Sequence, residues 1–354
     1  MTYEFTRRRR RFEGSSFALR IVDGRISFRA RSRTIIVVCL ILGLVLGIGI
    51  ISLVSGKYAV SASQAISALM GGGDEFTRMI VTEWRLPRVL IAFTLGGALG
   101  VSGAIFQSLT RNPLGSPDVI GFSAGSYTGA LVVILLLSGG YYQTAIGAVI
   151  GGIVTTLAVY LLAYRRGVQG FRLIIVGIGI AAMLGAFNSW MIKQADLNVA
   201  LSAAFRGAGS LNGLGYEQAF PIMLTLSLTV PFIAILSRPM RQLELGDDAA
   251  QAAGVNATRV RLSLIMLGVT LTAIATAAAG PISFVALAAP QIARRLSRSA
   301  GVALVPACLT GASLLMVADW AAQHALGVQL PVGVMTVSIG GLYFLWLLIR
   351  EGYK

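Results

Sequence analysis

The residues that could carry out chemistry in this 354-residue chain are few. The single histidine, His324, has no partner ligand at metal-binding spacing, and a serine hydrolase would need a histidine beside its nucleophile. The two cysteines, Cys39 and Cys308, lie in apolar blocks and form neither a CxxC motif nor a disulfide framework. The chain also lacks the phosphate-binding pattern GxxxxGKS/T, so we expect no ATP binding through a P-loop, and no cofactor, metal or catalytic site.

Two groups of charged residues stand out because they border or interrupt apolar sequence. The segment TEWRLPRVL places Glu83, Arg85 and Arg88 directly before a long apolar run. Because proline restricts the residues before it, we expect an extended Arg85, a helix that begins near Pro87 or Arg88, and both arginine side chains facing outward. Asp319 lies within an apolar segment, near its end, where a functional role and a structural pairing are equally open.

The elements that would position these residues are long apolar segments. The chain is 56% hydrophobic and 12% charged, with a mean hydropathy of +0.79, which is too apolar for a soluble domain of this size. Most of the segments approach the ~20 residues that a helix needs to cross a bilayer. We therefore predict an all-α, polytopic integral membrane protein with about ten transmembrane helices. The predicted segments are Thr34–Val54, Val89–Leu109, Val119–Leu137, Tyr142–Ala163, Leu173–Ile192, Phe220–Leu236, Leu262–Ala279, Ile282–Ala293, Val302–Ala322 and Pro331–Ile349.

The basic residues are distributed unevenly about these segments. Ten spans place both termini on one side of the membrane, and six of the 29 basic residues fall on the other side: Lys57, Arg78, Arg85, Arg88, Lys193 and Arg206. Since lysine and arginine mark the cytoplasmic side, we expect both termini in the cytoplasm. Residues 1–33 then form a basic cytoplasmic tail, and residues 34–350 form a single membrane domain. The net charge of +15 does not indicate nucleic acid, because it lies at segment ends and no zinc or aromatic–basic pattern accompanies it.

Small residues four positions apart recur inside the apolar segments, and this spacing lets helix backbones approach closely in lipid. The glycines concerned are Gly43 and Gly47, Gly96, Gly100 and Gly103, and Gly147 and Gly151.

The loop between the sixth and seventh segments, about 238–261, contains LELGDDAAQAAGVNATRVR. Asp247 or Asp248 can cap a short helix over Ala249–Ala253, and Gly254 can end it in a left-handed conformation. A helix of about six or seven residues is not stable alone in water. It needs a surface to lie on, and the sequence leaves open whether its own bundle or a partner protein supplies that surface.

Several long motifs, in a fixed order, resemble the permease subunits of bacterial iron-siderophore and vitamin B12 ABC importers. They are WRLPRVL, SGAIFQSLTRNPLGSPDVIGFSAG, GDDAAQAAGV, AGPISFVALAAPQIARR, VAD and QLPVGVMTVSIGG, and the resemblance runs from about Thr34 to Arg350. The segments FRLIIVGIG and AGSLNGL favour the branch of the family that handles catecholate siderophores such as ferric enterobactin.

The resemblance implies a type II importer permease in the bacterial cytoplasmic membrane. The partners it implies are a second permease subunit, identical or not, two cytoplasmic ATPase subunits and an extracytoplasmic siderophore-binding protein. It also implies that Arg85 and Arg88 dock the binding protein. The loop helix would couple the permease to the ATPase through Gly246, Asp247, Asp248, Ala249, Ala253, Gly254 and Val255.

The transport pathway would lie between the two permease subunits, with Asn188 and Ser189 as candidate lining residues. Three glutamines depart from the family pattern: Gln291 replaces a histidine, Gln323 an arginine and Gln329 a glutamate. We therefore predict no third docking arginine. The alternative function is an ion-coupled secondary transporter, which would need inverted repeats and ionisable groups at the membrane midplane. Asp319 is the only such group in the apolar segments, and no repeat is visible.

Overall fold

The computed structural model describes residues 16–21, 26–56, 58–163, 170–299, 301–325 and 327–352. Part of the predicted tail, residues 1–15 with Arg7 to Arg11, lies outside the described residues. So do five further basic residues used to assign the membrane sides: Arg25, Lys57, Arg165, Arg166 and Lys354.

Each of the ten predicted apolar segments is occupied by one helix, so the all-α membrane architecture is confirmed. Among the described residues, seven helices are long and apolar enough to cross a membrane. The eighth predicted segment is occupied by a short helix of 13 residues. The helices are α1 (Ser32–Val54), α2 (Ala62–Leu69), α3 (Glu75–Met79), α4 (Leu86–Thr110), α5 (Phe122–Leu136), α6 (Tyr141–Ala163), α7 (Gly170–Gln194), α8 (Leu197–Gly207), α9 (Tyr216–Glu244), α10 (Asp247–Ala252), α11 (Ala257–Ala279), α12 (Val285–Ser297), α13 (Leu304–His324) and α14 (Val332–Gly352).

The centre of the bundle is α4, the most deeply buried of the candidate spans. Its glycines permit this burial, because a Cβ at Gly96, Gly100 or Gly103 would overlap backbone atoms of α13 or α12. Ser102 adds hydrogen bonds to α11, since its hydroxyl donates to the Gly268 carbonyl at 2.7 Å. With about 1.5 Å of rise per residue, α4 runs for roughly 37 Å. We call the N-terminal end of α4 the Arg88 end and its C-terminal end the Asp247 end, after the ion pairs that are described below.

The predicted glycine pairs differ in what they pack against. Gly147 and Gly151 of α6 lie against the backbone of Gly129 in α5, as close helix packing in lipid requires. Gly43 and Gly47 of α1 have no atom within 4 Å of the position that a Cβ would take. The spacing of small residues therefore predicts close approach correctly in α4 and α6 but not in α1.

A two-stranded antiparallel hairpin precedes the membrane helices. Its strands, β1 (Ser16–Ile21) and β2 (Ile26–Arg31), pair with Ser16 opposite Arg31 and Ile21 opposite Ile26. The sequence predicts only a tail in this region. The short helices α2, α3 and α8, which lie between the predicted spans, were not predicted either.

Candidate functional site

A π-helical turn, Ile80–Arg85, joins α3 to α4 without a break. The Leu86 N–H donates to the Val81 carbonyl, five residues back, and Arg85 itself is helical, with φ −86° and ψ −43°. The predicted extended Arg85 is therefore wrong, whereas α4 begins at Leu86, next to Pro87, and continues directly from the π-helical turn. In a regular α-helix the ring of Pro87 would clash with the carbonyl four residues earlier, and the wider turn relieves this clash.

Arg85 caps the C-terminus of α1. Its guanidinium donates to the carbonyls of Leu53 at 2.7 Å, Val54 at 3.1 Å and Tyr58 at 2.5 Å. These carbonyls belong to the last turn of α1 and the loop after it, where helical partners are missing. The predicted outward orientation of Arg85 is wrong, because the head group is engaged by its own chain.

Arg88 forms a two-pronged ion pair with Asp319 of α13. Its Nε donates to Oδ2 at 2.9 Å and its Nη2 to Oδ1 at 2.8 Å. The two side chains are only 16% and 7% exposed. Gln323, one turn further along α13, donates to the same carboxylate at 2.9 Å. The structure thus gives Asp319 structural partners, and it also corrects the predicted outward orientation of Arg88. A docking role at this edge stays a prediction.

The loop helix α10 forms as predicted but begins differently. Gly246, with φ +120°, is its N-cap, and neither Asp247 nor Asp248 caps it. The end matches the prediction, because Gly254 is left-handed with φ +81°. There the Gly254 N–H donates to the Gln251 carbonyl and the Val255 N–H to the Ala250 carbonyl, both at 2.9 Å, which is a Schellman ending.

Asp247 does not cap α10 because its carboxylate is held by two arginines. Its Oδ1 accepts from Arg111 at 3.0 Å and from Arg261 at 2.8 Å. Arg111 follows α4 directly and Arg261 lies on α11, so three elements meet at one carboxylate. The charge of Asp247 also favours the start of α10, where the helix dipole is positive.

The sequence left open whether the bundle or a partner protein supports α10, and the two faces of α10 differ in this respect. Ala250 is buried and Val255 packs against the cluster of apolar residues that includes Met240 and Leu264. The residues on the other side are exposed: Asp248, Ala249, Gln251, Ala252, Ala253 and Gly254. The bundle supports one face of α10, and the second face is open to a partner.

Residues 112–121 form the segment between α4 and α5, which we call the linking segment. Gln291 of α12, at the position where the family pattern has a histidine, is buried and donates to the Pro113 carbonyl at 2.8 Å. At the other end, Gly121 has φ +88° and lies so close to α7 that an added Cβ would be 2.9 Å from the Gly177 carbonyl. The linking segment therefore touches both α12 and α7.

The two candidate pathway residues on α7 are separated. Asn188 is buried, and its Oδ1 has no hydrogen-bond partner among the described residues. Ser189 is exposed, and its hydroxyl donates to the Gly185 carbonyl of its own helix at 2.9 Å. The two residues therefore differ in burial on α7, and their role in a pathway stays a prediction.

Sequence reasoning missed the polar residues that hold these sites in place. Arg111 and Arg261 contact the Asp247 carboxylate, and Glu244 accepts from the Ser108 hydroxyl at 3.0 Å and the Val302 N–H at 3.2 Å. A signal was present for Arg111, because it is a lone basic residue at the end of a long apolar run.

Within the described ranges, no three His, Cys, Asp or Glu side chains come together as a metal site. His324 is exposed, donates from Nδ1 to the Trp320 carbonyl at 2.8 Å, and stacks on the Trp320 ring.

Comparison with known proteins places these features in a family context. The FecCD transport family matches residues 37–350. The chain is 52% identical to the ferric enterobactin transport system permease protein FepG of Escherichia coli K12, over 91% of this chain and 98% of that protein. It is 37% identical to the achromobactin transport system permease protein CbrC of Dickeya dadantii, over 93% and 95% of the two chains. A solved inward-facing structure of a metal-chelate type ABC transporter superposes with a TM-score of 0.79, at 25% identity, over 89% and 99% of the chains.

Proposed function

The chain belongs to the FecCD transport family, and we propose that it moves ferric enterobactin, or a closely related catecholate siderophore, across the bacterial inner membrane. It is a permease subunit of an ABC importer with the type II fold, and it is not an enzyme. The observation that supports the substrate most is the 52% identity to FepG over 98% of that protein's length. Nothing found favours the alternative of an ion-coupled secondary transporter.

We further propose the composition of the working complex. ABC permeases act with ATPase subunits and binding proteins, and we propose one partner permease, two cytoplasmic ATPases and one extracytoplasmic binding protein. The uneven distribution of basic residues supports a cytoplasmic location for both termini. The exposed apolar surfaces of α1, α7 and α9 would be shared between the lipid bilayer and the partner permease.

The exposed face of α10 is the proposed docking surface for the ATPase. Its supporting features are the exposed Ala249, Ala253 and Gly254, the charge of Asp248 and the rigid ending at Gly254. A short helix with a supported face and an open face can transmit force only if its base is anchored. The contacts of Ala250 and Asp247 with the bundle provide that anchor.

The Arg88 end is the proposed docking edge for the binding protein. Because Arg85 and Arg88 are both engaged within the chain, we propose that they hold this edge in shape rather than reach toward the partner. Asn188 is the remaining candidate for the pathway, since its amide oxygen lacks a partner among the described residues.

The test is transport by the reconstituted complex. Vesicles that contain this chain, its partner permease and the ATPase should take up ferric enterobactin with the binding protein and ATP, and not without nucleotide. Uptake driven by a proton or sodium gradient in the absence of nucleotide would overturn the proposed function.

A further inference from the structure

The carboxylate of Asp247 joins two arginines that are unequal in burial. The Arg261 side chain is 11% exposed, whereas that of Arg111 is 49% exposed. The more buried Arg261 fixes Asp247 to α11, and Arg111, on the solvent side, connects the same carboxylate to the end of α4.

Arg111 is also tied to the junction of α9 and α10. The same Nη2 that contacts Asp247 donates to the Leu243 carbonyl at 2.9 Å. Its backbone is left-handed, with φ +50°, a conformation that few residues other than glycine adopt. Its backbone N–H donates to the Ser108 carbonyl at 3.2 Å, and its guanidinium ties this end of α4 to Leu243 and Asp247.

The position of Arg111 in the chain gives these contacts a consequence. The next residues are the linking segment, which Gln291 anchors to α12 and Gly121 places against α7. A displacement of α10 would pull on Arg111 and so on the linking segment. A continuous route of contacts thus leads from the open face of α10 to α7.

We propose that Arg111 is a positioning residue that transmits movement of α10 to the linking segment and α7. This inference rests on the proposed coupling role of α10.

The experiment compares variants in the reconstituted complex with its partner permease, ATPase and binding protein. Arg111→Gln and Asp247→Asn should lower the amount of ferric enterobactin transported per ATP hydrolysed by about fivefold or more. Association with the ATPase should persist, because the exposed face of α10 is unchanged. Arg111→Lys retains the charge and should stay within about twofold of the original ratio. Arg238→Gln, at an exposed arginine on α9, is the matched control and should have no effect.

A second readout follows the linking segment directly. In a background in which Cys39 and Cys308 are replaced by serine, a cysteine at the exposed Leu114 can carry a spectroscopic probe. Nucleotide should change the environment of this probe, and Arg111→Gln should abolish that change.

The inference is overturned if both Arg111→Gln and Asp247→Asn keep the transport ratio within about twofold and the probe response persists. If the Arg111→Gln variant does not assemble into the complex, the transport ratios of Asp247→Asn and Arg111→Lys decide by the same twofold criterion. Failure of the unsubstituted complex to transport with ATP would instead contradict the proposed function itself.

Discussion

The two ends of α4 carry ion pairs of opposite character. At the Arg88 end, the carboxylate of Asp319 is 7% exposed and is held by a two-pronged arginine and a glutamine. At the Asp247 end, the carboxylate is 41% exposed and is shared by a buried and a half-exposed arginine. The difference indicates that the first pair fixes the structure and that the second allows adjustment, although both join the same central helix to its neighbours.

The largest effect is expected from breaking the buried pair. Arg88→Ala leaves the Asp319 carboxylate buried without its charge partner, which should lower the free energy of unfolding by about 3–5 kcal/mol. The measurement is the thermal unfolding of the purified protein in detergent. The double variant Arg88→Met with Asp319→Leu should recover most of the loss, and Arg78→Ala, at an exposed arginine, is the control.

A loss in the free energy of unfolding below about 1 kcal/mol for Arg88→Ala would remove the contrast between the two ends.

The next effect concerns the helix that connects the two ends. Gly103→Ala inserts a Cβ into the Ala286 carbonyl of α12, and such overpacking should cost about 1–3 kcal/mol in the free energy of unfolding. Gly43→Ala in α1 is the matched control, because no atom lies within 4 Å of the new Cβ, and it should not destabilise the protein. Equal effects of the two substitutions would contradict the central position of α4.

A smaller effect is expected at the ending of α10. Gly254→Val forces a β-branched residue into φ +81°, at a cost of about 1–2 kcal/mol, and should weaken association with the ATPase without affecting membrane insertion. Gly254→Asn should be tolerated better, since asparagine adopts the left-handed conformation more readily. Co-purification of the ATPase measures the difference, and full retention by the valine variant would argue against α10 as the docking element.

The smallest effect on stability is expected from the half-exposed pair. Arg111→Gln should change the free energy of unfolding by about 0–1 kcal/mol, and added salt should reduce even this difference. The same thermal unfolding assay applies. A loss as large as that of Arg88→Ala would mean that the Asp247 cluster is as rigid as the Arg88 pair.

These features differ in how far the sequence predicts them. The ten helices and the left-handed Gly254 depend on local patterns, namely apolar length and a glycine after a helix-forming run, and both were predicted correctly. The partner of Arg88 was not predicted, because Asp319 lies 231 positions away and no local pattern joins the two residues. The N-cap of α10 was wrongly assigned to Asp247 or Asp248 for the same reason. Arg111 and Arg261, which hold the Asp247 carboxylate, become neighbours of Asp247 only in the folded chain.

The π-helical turn could not be predicted from the sequence for a different reason. The rule that proline ends a preceding helix assumes regular α-helical geometry, and Ile80–Arg85 does not have that geometry. Arg85 was consequently placed in an extended segment, although it lies in a continuous helix and caps α1.

The same π-helical turn means that the number of residues in this region cannot change by even one. Such a turn contains one residue more than the α-helical turn it replaces, and each residue of an α-helix rotates the chain by about 100°. Losing one residue between Ile80 and Arg85 would restore regular geometry but rotate α3 by that angle relative to Arg88. α3 could then no longer keep its contacts with α2 while Arg88 faces Asp319. Insertions and deletions of single residues should therefore be excluded from this stretch over evolution, while substitutions that preserve its length are permitted.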